Sequence, residues 1–259
     1  MKLPIYQIDA FASKPFEGNP AAICPLDEWL PDGVMQLIAE ENNLSETAFF
    51  IATDSGFHIR WFTPTVEVDL CGHATLAAAY VLFHCLDFKQ PEILFDSRSG
   101  LLSVVKQGDL LILDFPAQPA VICEAPIQMI HAFGMEPVMC LKAEDYIVVF
   151  EQEDDLLSAE PDFDLLSELD GRGVIVTAPS ELYDFVCRFF APKFGINEDP
   201  VTGSAFTQLA PYWANRLGRT QLFAKQLSSR GGEVRCELKG ERVLIAGRGV
   251  KYLQGEIEI

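Results

Sequence analysis

Two glycine-centred turns hold the residues of this chain that are best suited to chemistry. The first turn spans residues 69–75 (DLCGHAT), the second spans residues 199–205 (DPVTGSA), and we expect a helix to follow each. The first N–H groups of a helix have no intrahelical partner and lie at the positive end of the helix dipole. Glycine also lets a ligand approach the backbone closely. The two turns are therefore suited to binding a small carboxylate.

Backbone amides and hydroxyl groups supply the expected donors at these turns. His73 follows the first glycine, where the positive end of the helix dipole disfavours an imidazolium, so the sequence predicts a neutral His73. Ordinary helix capping is the alternative for each turn, but the occurrence of two such turns at matching positions favours a site. The candidate substrate-binding residues are Gly72, Ala74, Thr75, Gly203, Ser204 and Ala205.

The two turns lie in two halves of the chain that resemble each other. Residues 59–64 resemble residues 186–192, and residues 97–100 resemble residues 229–232, in the same order as the turns. This order predicts an internal duplication, and its period is far longer than that of a solenoid repeat.

The duplication predicts two similar domains, residues 1–116 and residues 117–259, divided where prolines interrupt the chain. An alternative leaves the last strands in the first domain. Residues 74–83 are apolar on nearly all sides, and such a helix belongs in the interior of a protein. We therefore expect strands of the first domain to surround this segment.

Charge and cysteine content limit the partners and the compartment. The chain has 19 basic and 38 acidic side chains, a formal net charge of −19, which argues against nucleic acids and anionic membranes as partners. The longest apolar stretch, residues 74–86, is shorter than the ~20 residues that span a membrane. Seven cysteines without a C-x-x-C pair predict reduced thiols in a cytoplasmic protein. Four scattered histidines without an H-E-x-x-H motif predict no metal.

Four segments resemble the signature segments of the phenazine-biosynthesis PhzF-like proteins. They are residues 18–20 (GNP), 43–49 (NLSETAF), 71–75 (CGHAT) and 198–205 (EDPVTGSA). The resemblance implies the α+β, diaminopimelate-epimerase-like fold. That fold has two similar domains, each a curled, barrel-like mixed sheet around a central helix, with the active site between them. The resemblance also implies a homodimer that uses no cofactor.

The resemblance implies catalytic roles for three residues. Glu46 matches the family's general acid/base, while His73 and Asp199 match other active-site polar residues, as does Ser204. Burial of a carboxyl without a cationic partner favours its neutral form, which would suit Glu46 to giving and accepting protons near neutral pH. Asn19 is a candidate for a hydrogen bond to a ligand, but Gly-Asn-Pro is also a common turn, and both interpretations stay open.

Cys71 is a possible further chemical group. The resemblance implies relatives of this fold, epimerases and racemases, that use one thiol on each side of the α-carbon, and Cys71 matches one of these positions. A helix N-terminus lowers the pKa of a thiol. The matching place in the second half holds Pro200 or Val201, so epimerisation by two cysteines is not supported. An inert, buried thiol is the alternative.

The leading hypothesis is a cofactor-independent isomerase that moves a proton on a small amino- or hydroxy-carboxylic acid, with Glu46 as the acid/base group. One alternative is epimerisation or racemisation at one carbon, with Glu46 as one base and Cys71 or a bound water as the other. A second alternative is a non-catalytic protein that binds small carboxylates.

Overall fold

The computed structural model describes residues 1–259, and the chain divides into two compact units. Unit 1 comprises residues 1–114 and 246–259, and unit 2 comprises residues 115–245. Each unit contains mixed β-structure and one long helix with a buried face.

Unit 1 begins with strands and two helices. In chain order they are β1 (Lys2–Ala10), β2 (Asn19–Leu26), α1 (Asp32–Asn42), β3 (Glu46–Thr53), β4 (Gly56–Phe62), β5 (Glu67–Val68), α2 (Gly72–His84), β6 (Glu92–Asp96), β7 (Leu102–Gln107) and β8 (Leu110–Pro116).

Unit 2 follows, and the chain then returns to unit 1. The elements are β9 (Val121–Ile122), α3 (Ile127–Phe133), β10 (Met139–Lys142), β11 (Tyr146–Val149), α4 (Glu153–Ser158), α5 (Phe163–Ser167), β12 (Val174–Ala178), β13 (Phe185–Phe190), a short 3-10 turn (Pro192–Phe194), α6 (Gly203–Leu217), β14 (Gln221–Gln226), β15 (Gly232–Lys239), β16 (Arg242–Gly247) and β17 (Gly249–Glu258).

Helix α2 is the central helix of unit 1. Almost all of its residues are buried, because apolar side chains surround the whole helix axis between Leu76 and Phe83. It packs against β1, β2 and β3. The interior helix predicted from residues 74–83 is therefore confirmed.

The strands around α2 run in both directions. Strand β1 pairs antiparallel with both β17 and β2, whereas β2 and β3 pair in parallel. In the β2–β3 register Ala21 lies opposite Glu46, so the first residue of β3 lies beside the beginning of β2. This register places the side chains at the start of two neighbouring strands close to each other.

Helix α6 has the corresponding position in unit 2. It packs against β14 and β15 through a buried face that includes Phe206 and Trp213. The Trp213 ring stacks on Phe185 with 5.3 Å between ring centroids, and its indole N–H donates to the hydroxyl of Thr177 at 3.0 Å. Ring stacking and a satisfied indole N–H fix the helix on its sheet.

The α+β class and the mixed sheet around a buried helix, both implied by the resemblance, are confirmed. None of the helices combines the length and the apolar character needed to cross a membrane.

Candidate active site

Three elements of unit 1 bring four of the predicted site residues together. Asn19 is the first residue of β2 and Glu46 is the first residue of β3, while Cys71 caps helix α2 and His73 lies in its first turn. The parallel register of β2 and β3 aligns the two strand starts. The side chains therefore meet because the beginnings of three adjoining elements meet, although the residues are far apart in sequence.

The imidazole of His73 contacts all three neighbours. Its Nε2 lies 3.1 Å from Glu46 Oε2, and its Nδ1 lies 3.4 Å from both Asn19 Nδ2 and Cys71 Sγ. The His73 side chain is only 7% exposed and that of Glu46 only 14%. Hence the group is shielded from bulk water, and a ligand would interact with it in a medium of low polarity.

The contact between Glu46 and His73 is close but poorly aligned. Oε2 and Nε2 are near enough for an ion pair, yet both atoms are buried without a hydrogen-bond partner. Buried polar atoms in native proteins are nearly always hydrogen-bonded. The two atoms therefore satisfy each other only as a charged pair, when His73 is protonated.

The charge on His73 differs from the prediction. Burial lowers the pKa of His73, but the contact with Cys71 and the charge of the Glu46 carboxylate outweigh burial and hold the pKa above its usual value. The prediction of a neutral imidazole was wrong, because it considered only the helix dipole. The assumption that Glu46 has no cationic partner was also wrong, because His73 lies beside it.

The acidity of the Cys71 thiol also differs from the prediction. Burial raises the pKa of its thiol, the neighbouring Glu46 carboxylate raises it further, and the favourable contacts with His73 and the Ala74 amide do not compensate. A helix N-terminus therefore does not make this thiol acidic. Cys71 carries its proton at neutral pH.

The first turn of α2 is closed by Thr75. Its hydroxyl donates to the carbonyl oxygen of Cys71 at 2.6 Å, and its amide donates to the same oxygen at 3.1 Å. The hydroxyl hydrogen of Thr75 is thus used within the turn. The amides of Gly72 and Ala74 precede this bond at the positive end of the helix dipole.

The second glycine turn lies in unit 2 and is held by a buried glutamine. Gln226 of β14 accepts a hydrogen bond from the Thr202 amide at 2.9 Å and donates to the carbonyl of Asp199 at 2.7 Å. The Thr202 hydroxyl donates to the Asp199 carboxylate at 2.5 Å. These bonds fix Asp199 just before Gly203 and Ala205, which begin α6.

Ser204 has a cationic neighbour that the sequence analysis missed. Arg172 Nη2 donates to the Ser204 hydroxyl at 3.0 Å, and the same guanidinium binds both carboxylate oxygens of Asp145, at 2.9 and 2.5 Å. Asp145 is fully buried, and Gln208 donates to it at 2.6 Å. Burial opposes the charge of Arg172, but Asp145 more than compensates and raises the guanidinium pKa, so Arg172 stays charged.

One sequence signal pointed towards this cluster. Gln208 follows Ser204 by four residues, and this spacing places two side chains on the same face of a helix. Arg172 and Asp145 come from separate loops, and no spacing rule connects them with Ser204.

Comparison with known proteins places the chain in one family. The family model PhzC-PhzF, described as phenazine biosynthesis-like protein, matches residues 8–255. A Pseudomonas aeruginosa protein named as an uncharacterized isomerase is 53% identical, and 100% of both chains is covered. A similarly named isomerase of Halalkalibacterium halodurans is 43% identical over 99% of both chains. A human phenazine biosynthesis-like domain-containing protein is 38% identical over 99% of both.

Solved structures give the same result. A PhzF-family protein of Enterococcus faecalis superposes with a TM-score of 0.98 at 45% identity, covering 100% of both chains. A hydroxyproline epimerase of Agrobacterium vitis has a TM-score of 0.66 at 11% identity, covering 99% of this chain and 92% of the epimerase, and this likeness shows the fold alone. The diaminopimelate-epimerase-like fold is therefore confirmed. The chain belongs to the phenazine biosynthesis-like PhzC-PhzF family and is an enzyme of the isomerase class.

Proposed function

We propose that the protein moves a proton on a small amino- or hydroxy-carboxylic acid without a cofactor, and that Glu46 carries the proton. The observation that supports this role is the contact of Glu46 with His73. Their facing atoms, Oε2 and Nε2, lie 3.1 Å apart, buried and without a hydrogen-bond partner. A carboxylate and an imidazole in this arrangement can hold a proton between them and exchange it with a bound molecule.

The proposed reaction has two proton transfers. The carboxylate of Glu46 takes a proton from a substrate carbon, and the electron pair of the broken C–H bond stays in the substrate as enolate-like charge. Glu46 then returns the proton to a second position of the same substrate, which must be unsaturated, and the delocalised electron pair forms the new bond to hydrogen while the double bond moves to the first position. His73 Nε2 lies 3.1 Å from Glu46 Oε2 and orients the carboxylate for both transfers.

The amides at the start of α2 would stabilise the charge that develops on the substrate. Gly72 and Ala74 lie at the positive end of this helix, next to the Glu46–His73 pair. Donors fixed in place before the reaction are effective because they need no reorganisation while charge develops.

The distances support transfer on one face of the substrate. Glu46, Cys71 and His73 each offer an atom within 4.8 Å of the other two. An acid and a base on opposite faces of one carbon would each lie about 3 Å from it, and therefore roughly 6 Å from each other. Glu46 and Cys71 are closer than that, which disfavours epimerisation by this pair. Epimerisation with a bound water as the second acid stays an alternative.

The experiment begins with a thermal-shift screen of small amino and hydroxy acids. Compounds that raise the melting temperature are then incubated with the protein in D2O, and incorporation of deuterium at carbon is followed by NMR. We expect exchange with the natural protein and none with Glu46→Gln, although the melting shift persists. Glu41→Gln is the control, since Glu41 is an exposed carboxylate of α1.

Two results would contradict the proposal. Undiminished exchange with Glu46→Gln would exclude Glu46 as the proton carrier. Binding of several acids without any exchange in the natural protein would favour the non-catalytic carboxylate-binding alternative.

Asp199 and Ser204 are proposed to contact the same substrate, as the family resemblance implies. Asp199→Asn and Ser204→Ala test this role, with loss of exchange or of the melting shift as the expected result. The homodimer, the cytoplasmic location and the site between domains also stay predictions.

A further inference from the structure

Two cysteines of unit 2 face each other across an antiparallel strand pair. Strands β9 and β10 pair with Ile122 opposite Leu141, so Cys123 and Cys140 are the next opposite residues in this register. The Cys123 amide donates to the Cys140 carbonyl oxygen at 3.0 Å, which continues the strand pairing by one residue. Opposite residues of an antiparallel pair project their side chains from the same face of the sheet. The backbone therefore brings the two thiols together.

The spacing of the two thiols suits a disulfide. Their sulfur atoms lie 3.6 Å apart, and both thiols are free in this structure. Opposite residues that share a backbone hydrogen bond have Cα atoms about 5.5 Å apart. This separation falls within the range of about 4.4–6.8 Å that disulfides span. A disulfide bond is about 2.05 Å long, and rotation of the two side chains can bring the sulfurs to that distance.

The two thiols differ in their access to solvent. Cys140 is 4% exposed and belongs to the core of unit 2, whereas Cys123 is partly exposed and packs against that core. Burial raises the pKa of the Cys140 thiol, and the neighbouring Cys123 raises it further. Attack on a disulfide requires a thiolate that can reach the reagent. Cys123 therefore meets a dissolved disulfide first, and Cys140 is placed to attack the sulfur of Cys123 afterwards.

We propose that Cys123 and Cys140 form a reversible disulfide by exchange with a low-molecular-weight disulfide such as oxidised glutathione. The Cys123 thiol loses its proton, its sulfur attacks one sulfur of the reagent, and the S–S bond of the reagent breaks. One glutathione leaves and takes up a proton. The Cys140 thiol then loses its proton, and its sulfur displaces the second glutathione from Cys123. Two protein thiols are thereby oxidised, and one glutathione disulfide is reduced to two thiols.

The disulfide attaches the first strand of unit 2 covalently to its neighbour. Unit 2 begins at residue 115, and β9 (Val121–Ile122) is its first strand. Its pairing with β10 covers only these two residues, and their side chains are 69% and 74% exposed. Burial therefore contributes little to holding β9 in place. A bond that closes the loop from Cys123 to Cys140 limits the freedom of the unfolded chain and stabilises the strand pair.

Exchange is measured on the full natural protein. The protein is reduced, freed of reductant and incubated with oxidised glutathione at pH 8, and the remaining thiols are blocked with N-ethylmaleimide in denaturant. Cleavage after Glu124 separates the two cysteines, so mass spectrometry identifies peptides that are joined through Cys123 and Cys140. We expect the joined peptides as the main product, and dithiothreitol should restore both thiols. The proposal is overturned if Cys123 keeps glutathione while Cys140 is recovered as the blocked thiol.

Two variants test the order of the steps. In Cys140→Ser the disulfide cannot form, so Cys123 with bound glutathione should change from a trace species to the main product. In Cys123→Ser the buried Cys140 should stay unmodified. Equal modification of the remaining cysteine in the two variants would contradict Cys123 as the attacking thiol. The result with the natural protein decides on the disulfide itself, even where a variant folds poorly.

Other cysteines of the chain are controls in the same digest. Cys85 is partly exposed like Cys123, but it follows helix α2 and does not face a second cysteine across a strand pair. It should therefore keep any glutathione that it acquires. Cys187 and Cys236 are both buried and should stay reduced. A disulfide between Cys187 and Cys236 in place of the proposed one would contradict the proposal.

The stabilising effect is measured by thermal unfolding. The natural protein with the disulfide should melt several degrees above the reduced natural protein, because the disulfide closes a loop in the unfolded chain. The same glutathione treatment of Cys140→Ser should give no such rise. An unchanged melting temperature in natural protein that carries the disulfide would overturn its role in holding β9.

Discussion

Arg172 donates a hydrogen bond from Nη2 to the hydroxyl oxygen of Ser204 at 3.0 Å. A guanidinium has donors only, so Ser204 is the acceptor in this bond, and the hydrogen of its own hydroxyl points elsewhere. Ser204 thereby becomes a directed donor in the first turn of α6. Arg172 is in turn fixed by Asp145, which it binds through two nitrogen atoms. We infer that Arg172 is a positioning residue for Ser204.

Removal of the Arg172 charge should destabilise unit 2 markedly. Arg172→Met leaves the fully buried carboxylate of Asp145 with Gln208 as its remaining side-chain donor. Loss of one partner of a buried ion pair costs about 3–5 kcal/mol. Urea unfolding of Arg172→Met should show a decrease of this size in the free energy of unfolding. Addition of Asp145→Asn to the same protein should recover part of the loss, because the unpaired charge is then absent.

Arg216→Met is the control for this experiment. Arg216 is an exposed arginine of α6 that contacts the hydroxyl of Tyr212. Its guanidinium also lies over the Trp213 ring, 5.0 Å from the centroid, so its removal should change the free energy of unfolding by no more than about 1 kcal/mol. If Arg172→Met and Arg216→Met lost similar amounts of unfolding free energy, the Asp145–Arg172 pair would contribute little to stability.

The contact of His73 with Glu46 should make stability depend on pH. The pKa of His73 is raised in the folded protein, although burial opposes this, because the contact with Cys71 and the Glu46 carboxylate favour the imidazolium. The folded state therefore keeps this proton at pH values where the unfolded chain, with a pKa of about 6.5, has lost it. The stabilisation is complete below about pH 6.5 and is lost as the pH rises through the raised pKa.

The test compares the natural protein with His73→Gln by urea unfolding at pH 6 and pH 9. The natural protein should be the more stable of the two at pH 6, and its advantage should be smaller at pH 9. His131→Gln, a change of an exposed histidine, is the control for the loss of a histidine side chain as such. If the stability advantage of the natural protein over His73→Gln grew with pH, the pKa of His73 would be lowered in the folded state and not raised.

The fold and the buried helix α2 could be predicted from the sequence, but the charge states around His73 could not. The apolar pattern of α2 and the glycine at its start identified a buried helix, and its N-terminus carries the candidate site. The proton on His73 depends on Glu46, which precedes it by 27 positions and reaches it only through the start of β3. No local pattern contains this contact. The Arg172–Asp145 pair was missed for the same reason, because two loops bring it together.

The turn before Asn19 should tolerate no side chain at Gly18. Gly18 has φ +67°, and a Cβ atom there would lie 2.1 Å from the carbonyl oxygen of Ala10. Gly108 has a similar φ of +61° with no atom within 4 Å of the same position. Gly108→Ala should therefore cost about 1–2 kcal/mol for the left-handed backbone alone. Gly18→Ala should cost at least about 2 kcal/mol more, because the turn must distort.

Urea unfolding of the two glycine variants checks this difference. Since Asn19 follows Gly18 and contacts His73, Gly18→Ala should also alter the NMR signals of the His73 ring. Equal losses of stability in the two variants would mean that the Ala10 carbonyl moves away at little cost. Both the steric argument and the fixed position of Asn19 would then be wrong.

Cys71 should react slowly with alkylating agents in spite of its place at a helix N-terminus. Alkylation requires a thiolate and access for the reagent. Burial and the Glu46 carboxylate raise the pKa of Cys71, and its side chain is buried, whereas Cys123 is partly exposed. In a time course with iodoacetamide at pH 8, followed by peptide mass spectrometry, Cys123 should be modified before Cys71.

In urea the two thiols should react at similar rates, which would show that the fold protects Cys71. Early modification of Cys71 in the folded protein would instead indicate an accessible, acidic thiol and would restore Cys71 as a candidate base.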